Sequence, residues 1–124
     1  MKYMLLIYLE EAGWNAHTEA ERQEIYRQYR ALIEELKGDG KYLGGDELQP
    51  TSTANTVRVR QNKPLITDGP FAETREQLGG FFLIDVKDIA EANAIAARIP
   101  SALTGTIEVR PVVEANATKT GAAN

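Results

Sequence analysis

No cysteine occurs among the 124 residues, and histidine occurs once. The first absence excludes disulfides, thiolate nucleophiles and zinc–thiolate sites. Together the two argue against a transition-metal centre, since imidazole and thiolate are the ligands such ions favour. Nothing points to a cofactor. Gly44-Gly45 and Gly79-Gly80 lack the Lys-Ser/Thr of a phosphate-cradling loop and are not set between a strand and a helix. Long apolar runs are also missing. The opening Met1–Tyr8 stretch stops before Glu10 and Glu11, too short for a bilayer and without a small-residue cleavage site. Basic charge is scarce: 14 Lys and Arg stand against 18 Asp and Glu, a net charge of −4. That balance disfavours the nucleic-acid backbone as a partner. What remains is a cytoplasmic protein with no nucleic acid or membrane to bind, and a neutral or cationic partner as the better match.

The length suits one domain, expected over residues 1–113, followed by a disordered small-residue tail over 114–124. Lys2–Tyr8 and Gly80–Lys87 carry apolar residues on both alternating faces, the mark of central strands covered on both sides. Thr18 with Glu21 forms a capping box ahead of Ile25, Tyr29, Leu32 and Leu36, which recur at helical spacing until Lys37-Gly38. Asp88 with Glu91 opens a second helix that Pro100 ends. Lys41–Gly45 is a short strand, and Thr106–Val112 is an alternating last strand. Thr56–Arg60 and Pro64–Thr67 make an extra hairpin around Gln61-Asn62-Lys63. Glu10–His17 and Leu48–Asn55 are expected as loops.

Set the hairpin aside and the order is β-α-β-β-α-β, the ferredoxin-like α+β plan, whose first and third strands are central. Those are the two strands that are apolar on both faces. Both helices cover one side of such a sheet. The other side then keeps apolar side chains in water, and a homodimer packed sheet to sheet resolves that.

Chemistry is expected from the charged residues on the uncovered side and at the Asp68-Gly69-Pro70 turn. Asp68 is the acid/base candidate, because a carboxylate kept from water can exchange protons near neutral pH. Arg58, Arg60, Glu73, Arg75, Glu76, Glu108 and Arg110 could hold a charged ligand. Each also has a plainer role: Asp68 as a turn-former, Glu73, Arg75 and Glu76 as an ion-pair network, and the strand residues as a solvated face. His17 reads as an exposed loop residue or as a proton shuttle. Tyr26 and Tyr29 read as core, with hydroxyls able to reach the mouth of the sheet.

Asp68-Gly69-Pro70-Phe71-Ala72-Glu73-Thr74-Arg75-Glu76, followed by Leu78-Gly79-Gly80-Phe81-Phe82, resembles the signature of the DGPF-domain branch of YCII-related proteins. The opening Lys2–Tyr8 and the closing Glu108-Val109-Arg110-Pro111-Val112 resemble that branch too, so the similarity spans residues 1–113. It implies a ferredoxin-like fold that dimerises as a dimeric α/β barrel. Some YCII-like relatives are dehydrochlorinases or proposed enzymes with a His-Asp pair. Here that His would fall near Tyr29, so the chain departs from the pair. The roles expected are Asp68 as base, Tyr29 as donor in place of that His, and Arg58 or Arg75 holding an anionic group, with Glu73 and Arg110 as further substrate-binding candidates. The substrate would be a small organic molecule. The alternative is a non-catalytic ligand-binding or regulatory dimer, which the resemblance links to an extracytoplasmic-function sigma factor.

Overall fold

Strands β1 (Lys2–Leu9) and β5 (Gln77–Asp85) run antiparallel at the centre of a four-stranded sheet, in a computed structural model that describes residues 1–114. The order is β2-β5-β1-β6, with β2 (Tyr42–Glu47) and β6 (Thr106–Pro111) at the edges. This is the ferredoxin-like α+β arrangement. The tail expected from residue 114 onward lies, apart from Glu114, outside the described residues.

Alternation decides what the sheet buries. Tyr3, Leu5 and Ile7 of β1 and Phe82 and Ile84 of β5 point to one side and are buried. Leu32 and Leu36 of helix α2 (Glu19–Gly38) meet them there, as do Ala92, Ile95 and Ala96 of helix α3 (Ile89–Ala96). Each fully buried aliphatic side chain contributes about 1.5–3 kcal/mol. On the opposite side Met4, Leu6, Phe81 and Leu83 are only half buried, with Leu6 flanked by Phe81 and Glu108, and Met4 by Leu83 and Arg110. Among the described residues no helix covers them, since α2 and α3 pack on the buried side.

The helix ends follow their capping residues. The Thr18 hydroxyl accepts the Glu21 N–H at 3.1 Å, and the Glu21 carboxylate accepts the Thr18 N–H at 2.8 Å. Beyond Gly38 the chain turns at Gly40, whose φ of 71° suits glycine, and Lys41 N–H closes on the Leu36 carbonyl at 2.9 Å. At α3 the Asp88 carboxylate accepts the Glu91 N–H, but the Glu91 side chain takes the N–H of Lys87 rather than that of Asp88.

Three expectations need correction. Glu10–His17 is not all loop: Glu11–Ala16 is a short helix, α1. It has no apolar periodicity to announce it. Its first N–H is held from a distance, by the Gln77 side-chain oxygen at 2.9 Å. The second helix stops at Ala96, and a separate 3-10 turn runs over Pro100–Leu103. The hairpin residues Arg58 and Arg60 do not sit on the uncovered sheet face. Strands β3 (Asn55–Arg60) and β4 (Lys63–Asp68) form a two-stranded sheet of their own. Its turn places Gln61 and Asn62 at φ 53° and 64°, the left-handed pair that matches hairpin twist.

Candidate functional site

A cleft of about 340 Å³ opens between α1, α2 and the β2–β5 side of the sheet. Its wall is aromatic. Trp14 comes from α1, Tyr26 and Tyr29 from α2, Tyr42 from β2 and Phe82 from β5. Tyr26 and Tyr29 share a helix face because they are three residues apart. The rings meet edge to face: Trp14 and Tyr26 at 5.4 Å, Tyr29 and Phe82 at 6.1 Å, Tyr42 and Phe82 at 5.4 Å. Such contacts hold the rings in defined orientations.

Polar groups enter this wall at few points. Tyr29 Oη and Ser101 Oγ share a hydrogen bond of 2.7 Å. The Tyr26 hydroxyl donates to the Glu47 carboxylate, with oxygens at 2.9 and 3.0 Å. The Glu11 carboxylate accepts from the Thr51 N–H and hydroxyl, both at 2.8 Å, which ties α1 to the segment leading into β3. Glu11, Asp46 and Glu47 line the cleft against one cation, Arg30, so the lining is acidic.

Burial is the main influence on the two helix phenols. It raises the pKa of Tyr29, and at Tyr26 burial together with the neighbouring Glu47 carboxylate pushes the value up to about 12. Both hydroxyls are neutral at physiological pH, as an ordinary phenol is, and the shift moves their ionisation further from it. The stability consequence has a definite sign. A folded-state pKa above the ordinary 10 means that the folded chain holds the proton more tightly than the unfolded chain. The associated stability is complete below pH 10 and is lost as pH rises through 12. Thermal melts between pH 9 and 12 should fall less steeply for Tyr26→Phe than for the parent chain. Parallel slopes would show that the Tyr26–Glu47 contact does not persist in solution.

Residues 1–116 match the YCII-related domain. The chain belongs to the YCII-related family. The uncharacterised protein R00369 of Rhizobium meliloti (strain 1021) is 37% identical to it over 114 residues, covering 90% of this chain and 92% of that protein.

Of the residues singled out from the sequence of this YCII-related protein, Tyr26 and Tyr29 line the cleft. Asp68 ends β4, exposed at the root of the hairpin, and pairs across it with Asn55. Arg58 lies midway along β3, opposite Leu65. Glu73 and Arg75 are on the exposed segment after the Gly69 turn, where Arg75 reaches Glu10 at 3.4 Å. Arg110 is on β6 beside Met4, on the uncovered sheet side. These five are therefore not gathered around Tyr29. His17 caps α1, with its ring edge-on to Trp14 and Nδ1 3.4 Å from Glu21. Among the described residues no helix is long and apolar enough to cross a membrane, and no group of three His, Asp or Glu could hold a metal ion.

Trp14, Glu11, Glu47 and Ser101 were not legible as site residues. A tyrosine pair three apart on a helix, near the one tryptophan, is the signal that leads partway there. Ser101 has none: it lies 72 residues from Tyr29 and meets it only through the fold.

Proposed function

We propose that this YCII-related protein binds a small organic molecule in the aromatic cleft, and that it works as a homodimer. The observation that carries the first part is a ring-lined cavity into which two neutral tyrosine hydroxyls are set by fixed partners, Tyr29 by Ser101 and Tyr26 by Glu47. Ligand sites have this make-up, an apolar body with a few placed polar groups. The homodimer is supported by the uncovered sheet side with Met4, Leu6, Phe81 and Leu83.

Acid/base chemistry on the ligand fits the same site in part. Tyr29 is protonated at neutral pH, and its one proton is free for a ligand oxygen when Ser101 is the donor in their shared hydrogen bond. Asp68 does not line the cleft of its own chain, so it can act as base only on a ligand that a second copy also contacts. Arg58, Glu73, Arg75 and Arg110 fall under the same condition. A regulatory reading, with the DGPF branch and a sigma-factor partner, is favoured by one feature: Phe71 in the Asp68–Glu76 motif is 77% exposed, as a residue that binds another protein would be.

Trp14 is the chain's one tryptophan and lies in the cleft wall, so its emission reports occupancy. Titration with p-cresol, a phenol of cleft size, should shift that emission saturably in the millimolar range or below. Tyr29→Phe should weaken binding roughly 2–10-fold, the worth of one hydrogen bond. An emission spectrum indifferent to p-cresol, benzylamine and benzoate alike would dismiss the cleft as a site.

A further inference from the structure

Two carboxylates at the aromatic cleft have no cation of their own. Glu11 and Trp14 lie three residues apart on α1 and share a side of it. Glu47 reaches the same corner from β2, through the Tyr26 hydroxyl, and the Tyr26 ring meets Trp14 edge to face at 5.4 Å. Asp46 does not add its charge to theirs. It pairs with Phe81 in the sheet register, so its side chain stands on the uncovered side of the sheet. Among the described residues neither Glu11 nor Glu47 forms an ion pair. Arg30, the cation of the lining, is exposed and one turn further along α2 than Tyr26.

Neutral donors hold both carboxylates in place. Thr51 supplies an N–H and a hydroxyl to Glu11, and Tyr26 supplies its hydroxyl to Glu47. A carboxylate offers about four lone-pair sites, so each keeps acceptor capacity while its charge stays uncompensated. Beside them stand Trp14 and Tyr26. An edge-to-face pair leaves ring faces open, and the negative potential of those faces attracts cations.

We infer that the cleft takes an organic ammonium: a primary amine on a flat apolar body, its N–H groups donating to Glu11 and Glu47 and its body lying against Trp14, Tyr29 and Phe82. The inference rests on the cleft being a ligand site, and it narrows the occupant by charge. The volume of about 340 Å³ suits one ring with a short chain. Other ligands of that size match less well. A carboxylate would approach two like charges, with exposed Arg30 to receive it. A neutral phenol would give the carboxylates an ordinary hydrogen bond, roughly half as strong as one from an ammonium. Glu47 is exposed, so the ammonium keeps part of its water and escapes the full cost of burying a charge. The net charge of −4 also draws cations rather than anions toward the chain.

Trp14 emission in the parent chain, at neutral pH and low salt, is followed against benzylamine, p-cresol and benzoate. Benzylamine should bind at least about fivefold tighter than p-cresol, with benzoate weakest. A smaller margin, with p-cresol saturating, overturns the ammonium and leaves the cleft standing as a site. Benzoate binding tightest overturns it as well, and makes Arg30 the deciding charge. No response to any of the three removes the cleft reading itself. Glu47→Gln keeps an acceptor for Tyr26 and deletes the charge. It should weaken benzylamine at least about threefold and leave p-cresol within about twofold of the parent. A smaller loss, or an equal loss for both ligands, makes Glu47 a prop for Tyr26 and overturns its part as counter-charge. The comparison of ligands on the parent chain decides the charge of the occupant even where that variant does not fold.

Discussion

Ile84→Ala should lower stability by about 2–5 kcal/mol, with a melting temperature roughly 10 °C lower. Ile84 is fully buried in β5 and lies between Tyr3 of β1 and Tyr42 of β2 in the sheet register. It sits at the junction of the two central strands and the α2–α3 layer, where deleted methyl groups leave a void that three elements would have to move to fill. Urea unfolding at one temperature, with the slope unchanged, is the measurement. A loss below 1 kcal/mol would mean that the layer collapses onto the gap and is packed more loosely than described. It would also weaken the cleft reading, since neighbouring Phe82 belongs to both the core and the cleft wall.

Gly45→Ala should act on fold and site together. A β-carbon at this position would overlap the Phe81 carbonyl oxygen, lie 2.6 Å from the Tyr42 hydroxyl and lie 3.2 Å from the Phe82 ring. The tyrosine can swing away, but the carbonyl is backbone of the adjacent strand and can yield only by shifting β2 from β5. Overpacking of this kind costs about 1–3 kcal/mol. Gly45 also lines the cleft, so displacing Tyr42 reshapes its wall. The expected outcome is a destabilised but folded protein whose Trp14 emission responds to p-cresol at least tenfold more weakly. Gly44→Ala, one residue away, is the control: a β-carbon there meets nothing within 4 Å. Equal responses from the two variants would remove the steric argument.

The frame of the fold was readable because its signals are local. Apolar residues on both faces of Lys2–Tyr8 and Gly80–Lys87 announce central strands, and the Thr18–Glu21 box announces a helix start that the structure reproduces. Helix α1 escaped for the opposite reason, being held by Gln77 and Thr51, far along the chain. The candidate site was harder still. Charge density drew attention to Asp68–Glu76, a contiguous motif, whereas the cleft collects Trp14, Tyr26, Tyr29, Glu47, Phe82 and Ser101 from five separate segments. Tyrosine and phenylalanine at helical or strand spacing look the same whether they fill a core or line a cavity. Only the space left between elements distinguishes the two.

Composition and periodicity alone determined a cysteine-free ferredoxin-like α+β chain with one sheet side left over, since alternation along a strand is a property of neighbours in sequence. Where the hairpin stands and which rings enclose a cavity were decided by the tertiary structure. Those depend on how far apart packed elements come to rest, a distance that no stretch of residues encodes by itself.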